Sequence, residues 1–213
     1  MHNIVHSQGG VTLSQGFFAG GVSAGLKKDN ALDMAFIYSQ KPCEVATVFT
    51  TNKMAAAPIR FVRSLGKFQT NFVLINSKNA NAMTGEAGIE DIKEVLAHAP
   101  KEALNPIMSS TGVIGVRLPK EKIIAGAKLF DITKKESSSA AKAIMTTDSF
   151  AKEIAFEVKL DNGGSFCIGA IAKGAGMINP AMATMLCFIT TDAQVPQSEM
   201  QELLDECVKT TFN

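Results

Sequence analysis

Among its 213 residues the sequence has no tryptophan, one tyrosine, three histidines and four cysteines, and each scarcity closes off some chemistry. Cys43, Cys167, Cys187 and Cys207 never form a CxxC pair. Three of them lie in apolar stretches, where a free cysteine behaves as a small hydrophobe, so buried thiols are expected rather than metal ligands or disulfides. His2, His6 and His98 are scattered, and His98 closes a predicted helix whose last turn favours a cation. With no HExxH, no GxSxG and no acid cluster at calcium-loop spacing, hydrolysis built on a metal or a Ser/His/Asp triad is not indicated. GGVSAG, at 20–25, lacks the Lys-Ser/Thr ending of a phosphate loop, and KGAGMI, at 173–178, has two of the three glycines of a dinucleotide fingerprint.

Charge of one sign is missing too. Lys and Arg total 21 against 20 Asp and Glu, without a basic block, which offers nucleic acid or an anionic membrane nothing to hold. No run approaches the roughly 18 apolar residues of a membrane span. The opening MHNIVHSQGG has neither the basic nor the apolar region of a signal peptide. A cytoplasmic protein with small-molecule or protein partners is expected.

What is present is enough apolar sequence, 46% of residues, to bury a core as one domain or two small ones. Met34–Gln40 and Val45–Thr51 are β-branched or aromatic runs joined by KPCE, which predicts an antiparallel pair. Asn71–Asn76 reads as a buried strand, and the SKNANAMTGEAG that follows must be a loop of special backbone geometry. GIEDIKEVLAHA has helical spacing of Ile89, Ile92, Val95 and Leu96; Pro119 opens a second helix and Glu136–Met145 a third. Glu153–Leu160 and Ser165–Ala172 flank Asp161-Asn162-Gly163-Gly164, a hairpin signal. Met185–Thr190 is another buried strand. A last helix puts Met200, Leu203, Leu204, Cys207 and Val208 on one stripe that needs covering, as in a fragment of a longer protein. The fold class is mixed α/β, with largely antiparallel sheets layered with helices.

Chemistry centres on Thr184, in GMINPAMATMLCFITTDAQ, where small residues and Pro180 lead to Ala183-Thr184 and an apolar run follows at once. A threonine hydroxyl is a weak nucleophile without a base, and one solution is the α-amine of the threonine itself, freed when the preceding peptide bond is cut. That amine, with a reference pKa of about 7.7–8.0, can take and return a proton near neutrality. The hydroxyl of an internal Thr184 reaches this state by attacking the Ala183 carbonyl, shifting the acyl group to oxygen and letting water release the ester. Acyl transfer also needs donors aimed at an oxyanion, and Thr111-Gly112 in MSSTGVIG, at the exit of a predicted strand, fits that need. An ordinary Ser/Thr/Gly turn has the same composition. Lys173, beside Gly174 and Gly176, binds a carboxylate or is a solvated turn residue; spacing leaves both open.

Together, MSSTGVIG, AIMTTD, AKGAGMINPAMATML and FITTDA, with VFTTNKMAAAP and INSKNANAMTG, resemble the ornithine acetyltransferase, or glutamate N-acetyltransferase, family of arginine biosynthesis, from about Gln15 to the last residue. The resemblance implies self-cleavage between Ala183 and Thr184, giving an α-chain region, 1–183, and the start of a β-chain region, 184–213. It implies that Thr184 is the nucleophile, that Thr111 and Gly112 stabilise the oxyanion, and that Thr146 and Lys173 contact substrate. It further implies a ping-pong transfer of acetyl from N-acetylornithine to glutamate, with acetyl-CoA a donor in some members. Two α and two β chains, no metal and no organic cofactor complete the expectation. Family chains are longer, so further substrate contacts are expected outside these 213 residues. A Thr-nucleophile aminopeptidase of the same fold, and a binding or assembly module in which Ala183-Thr184 is an ordinary strand entry, are the alternatives.

Overall fold

A computed structural model describes residues 3–174 and 185–211. The strands are β1 (Asn3–Ser7), β2 (Phe17–Val22), β3 (Met34–Glu44), β4 (Gln69–Asn76), β5 (Ile107–Ser110), β6 (Lys152–Lys159), β7 (Ser165–Lys173) and β8 (Leu186–Thr191). The helices are α1 (Ala57–Ser64), α2 (Gly85–Leu96), α3 (Lys120–Ala127), α4 (Ser137–Ala143) and α5 (Gln197–Thr211). Among the described residues the strands build two four-stranded sheets, ordered β2-β3-β4-β5 and β1-β6-β7-β8, in which only β4 and β5 pair in parallel.

The first sheet is covered on both faces, which explains why β3 and β4 read as nearly continuous apolar runs. On β3, Met34 and Phe36 enter one core while Ala35 and Ile37 enter another. The first core joins Phe72, Leu74 and Met108 to Ile92 and Val95 of α2 and Ile123 of α3. Phe36 and Phe72 stack with centroids 6.3 Å apart, and each such buried side chain contributes about 1.5–3 kcal/mol. The second core sets Ala35, Ile37 and Ile75 against the alanines of α4 and Ile171 of the other sheet. α4 is built of small residues because it is wedged between sheets. Gly21 donates its N–H to Ser139 Oγ at 2.9 Å, and a Cβ there would overlap the Ser139 carbonyl. Gly21 of GGVSAG thus serves close strand–helix packing.

The expected antiparallel pair of Met34–Gln40 and Val45–Thr51 does not form. β3 runs on through KPCE, and its register with β4 passes from Tyr38↔Phe72 to Cys43↔Thr70, leaving the residues before and at Pro42, which has no N–H to give, without partners on β4. Val45–Thr51 is not a strand; Thr47 N–H donates to Gln201 Oε1, and Gln201 Nε2 returns a bond to Thr47 O. The cysteines also differ from expectation: all four are free, but Cys43, Cys167 and Cys187 are half-buried and Cys207 is exposed. On α5 only Val208 of the expected stripe is buried, and Leu203 is 56% exposed. The remaining predicted elements form within a few residues of their expected bounds, but β8, expected to be a buried strand, is mostly half-buried with Ile189 54% exposed, because among the described residues it has a neighbouring strand on one side only. β1, β2 and α1 were not anticipated; β1 is exposed on both faces and held by backbone pairing to β6, so it carries no alternating pattern to read. Among the described residues no helix is long and apolar enough to cross a membrane.

Candidate active site

β4 and β5 end level with each other, Asn76 opposite Ser110. Beyond them two loops interlock, and asparagines take the place of regular hydrogen bonding. Asn76 Nδ2 donates to Asn79 O at 2.9 Å, and Asn79 Nδ2 donates to Val116 O and Arg117 O. Asn81 N–H donates to Asn79 Oδ1, and Asn81 Nδ2 to Gly88 O. Lys78, Asn81 and Met83 all have positive φ, a conformation asparagine tolerates and lysine and methionine resist. The expected special geometry of SKNANAMTG is therefore present.

This loop pins Thr111 and Gly112. Thr111 N–H donates to Asn76 O at 3.0 Å, so it is already committed. Gly112 has φ 136, and a Cβ on it would come within 2.5 Å of Asn79 N, overlapping the Lys78–Asn79 peptide. Among the described residues the Gly112 N–H donates no hydrogen bond of ordinary geometry. Asn76 Oδ1 and Ser110 Oγ are buried beneath this turn without a hydrogen-bond partner among the described residues, which leaves unspent polar capacity beside Thr111.

Lys173 comes from the other sheet, as the last residue of β7, and is 5% exposed. Its Nζ donates to Thr111 Oγ1 at 3.1 Å and to Thr146 Oγ1 at 2.8 Å. Three residues singled out from separate motifs therefore meet at one ammonium. Burial pushes Lys173 below the ordinary lysine value; Asp148 opposes the drop and Lys152 adds to it.

Asp148 is the residue the sequence reading passed over. Its side chain is 1% exposed, and it accepts from Gly174 N–H at 2.8 Å, Lys152 Nζ at 2.8 Å and Thr146 N–H at 3.2 Å. Burial would raise this carboxyl, but the bonds from Lys152, Gly174 and Thr146, with the Lys152 charge, outweigh it and hold the pKa at about 2. The available signal was an acid ending the MTTD motif. Cys187 on β8 is pushed up to about 11 by burial, so its thiol is not poised as a nucleophile at neutral pH.

Ala183 and Thr184 lie outside the described residues. Their chain neighbour Met185 is described: Leu186 pairs with Lys173 across the sheet, and a Cβ on Gly174 would stand 3.5 Å from Met185 Cα.

The model of the ArgJ family matches residues 18–213. The arginine biosynthesis bifunctional protein ArgJ of Wolinella succinogenes is 60% identical over 217 residues, covering 100% of this chain and 55% of the relative. Its counterpart in Dehalococcoides mccartyi is 46% identical, covering 96% and 52%. The chain thus spans about half the length of the curated relatives it matches. Among solved structures, ArgJ of Bacillus halodurans superimposes with a TM-score of 0.76 at 29% identity, over 87% of this chain and 100% of that one. Ornithine acetyltransferase of Mycobacterium tuberculosis, complexed with ornithine, gives 0.64 at 32% identity, over 84% and 97%. The mixed α/β fold class is that of these two structures.

Proposed function

The chain belongs to the ArgJ family, and on that premise we propose that it carries the nucleophile and oxyanion site of an acetyltransferase that moves acetyl from N-acetylornithine to glutamate in arginine biosynthesis. The observation that carries this reading is the meeting of Lys173 with Thr111 and Thr146 beside the point where Met185 re-enters the sheet.

Thr184 precedes Met185 by one peptide bond. In the precursor, Thr184 Oγ attacks the Ala183 carbonyl, the acyl group moves from nitrogen to oxygen, and water releases the ester. The region 1–183 then ends at Ala183, and 184–213 begins with a free amine beside its own hydroxyl. The β7–β8 ladder, which crosses that division, keeps the two parts in one sheet.

In turnover, Thr184 Oγ attacks the acetyl carbonyl, the carbonyl π electrons move to oxygen, and the Thr184 amine takes the hydroxyl proton. Thr111 Oγ1 accepts from Lys173, which leaves its own proton free to point at the oxyanion; the Gly112 N–H is the second donor. Collapse expels ornithine, which takes the proton from the amine, and leaves acetyl-Thr184. The glutamate amine then attacks this ester, gives up a proton and departs as N-acetylglutamate, restoring the threonine hydroxyl. Thr146 and Lys173 present donors to the substrate's polar groups. None of these steps calls for a metal or an organic cofactor. Two α and two β chains in a cytoplasmic enzyme belong to the same reading.

The test is steady-state transfer by the full-length protein. Glutamate-dependent release of ornithine is the expected result, and release that proceeds equally without glutamate would identify a hydrolase instead. Acetyl-CoA as sole donor decides whether the acetyl-enzyme has a second source.

A further inference from the structure

The Asp148 carboxylate is spent on three donors from three places: the backbone of Thr146, Lys152 of β6, and Gly174 N–H, where β7 ends directly after Lys173. A residue needed only to close a turn would be satisfied by the first of these. Here two of the three bonds act on Lys173 or its partner. Thr146, whose hydroxyl accepts from Lys173, has its backbone held by Asp148 Oδ2; Gly174, bonded to Asp148 Oδ1, fixes the peptide from which the Lys173 side chain departs. The carboxylate is also the negative charge that acts on this ammonium, while Lys152 is the competing positive one. Lys27 is a further cation in the field of Asp148, and Lys78 acts on Lys27 in turn; Lys27 Nζ is tied to Leu32 O and Ala143 O.

We propose that Asp148 is a positioning residue of this site: it holds Lys173 cationic and aimed between Thr111 and Thr146. The proposal rests on the acetyltransferase reading for its effect on rate, but not for its effect on Lys173. Asp148→Asn is nearly isosteric and removes the charge, whereas Asp148→Glu keeps it.

In the full-length protein, the 13Cε resonance of Lys173, assigned by its loss in Lys173→Arg, is followed against pH. The expected result is a midpoint about one pH unit lower in Asp148→Asn, the size of shift a nearby opposite charge exerts, with return toward wild type in Asp148→Glu. The alkaline limb of kcat/KM for acetyl transfer is expected to move to lower pH by the same amount, because Lys173 then loses its proton earlier. A purely structural Asp148 would lower thermal stability and leave the Lys173 midpoint in place, and that unmoved midpoint overturns the proposal. If Asp148→Asn does not fold, Lys152→Met reads the same field from the other side. The Lys173 midpoint then rises, since the like charge of Lys152 is gone and the carboxylate acts on Lys173 without a competing ammonium; a midpoint unchanged or lowered overturns the proposal. The titration needs no turnover, so a moved midpoint without acetyl transfer supports the role of Asp148 and sinks the proposed reaction alone.

Discussion

Lys173 Nζ and Thr146 Oγ1 stand 2.8 Å apart, although 27 residues separate them in sequence. The second Lys173 bond, to Thr111, spans 62 residues. Charge-assisted bonds of this kind are worth about 1.5–3 kcal/mol each. Lys173→Met keeps most of the apolar stem and removes both. kcat/KM for acetyl transfer is expected to fall roughly 10- to 100-fold, measured against protein whose circular dichroism matches wild type; an undiminished kcat/KM would remove Lys173 from the site.

Gly112→Ala tests the oxyanion turn. The new Cβ meets the Lys78–Asn79 peptide at a φ of 136 that alanine does not adopt comfortably. Chemical denaturation should show a stability loss of about 1–3 kcal/mol. The transfer rate of the surviving folded enzyme should fall about a hundredfold, the usual effect of losing one oxyanion donor. A fully active Gly112→Ala enzyme would exclude this N–H as a donor.

Thr184→Ala tests the nucleophile. Intact-mass measurement of the wild-type full-length protein should show two chains parting after residue 183. The Thr184→Ala protein should remain one chain and show no measurable transfer. Cleaved and active Thr184→Ala protein would sink the self-processing proposal.

Asp148 gives an acid-side prediction with a definite sign. Its folded pKa of about 2 lies below the value of about 3.9 expected when unfolded. The native state therefore binds this proton less readily than the unfolded state, and the stabilisation is complete above about pH 4. It is lost as pH falls from there through about 2. Thermal melts over that range should decline more steeply for wild type than for Asp148→Asn, which has no proton to bind. Parallel declines would show that the ion pair with Lys152 contributes nothing to stability.

Much of the fold was legible because it was local. The spacing of Ile89, Ile92, Val95 and Leu96 specifies a helix face whatever it packs against, and Asp161-Asn162-Gly163-Gly164 between two apolar runs specifies a hairpin. The failures fall where a distant partner decided. Val45–Thr51 has strand-like composition, but the α5 glutamines took its backbone bonds. β1 has no buried face and exists because β6 offers it an edge.

The site divides the same way. By itself the sequence determined residue types and local backbone demands: a glycine where φ is 136, asparagines where the loop must satisfy itself, a lysine at a strand end. Only the tertiary structure decided that β5 and β7, in different sheets, deliver Thr111 and Lys173 to one point, and that Asp148 binds Thr146, Lys152 and Gly174 together. The physical reason is that propensity and periodicity act over a few residues of chain. Which strands become neighbours, and which charges share a buried volume, depends on the packing of both cores at once.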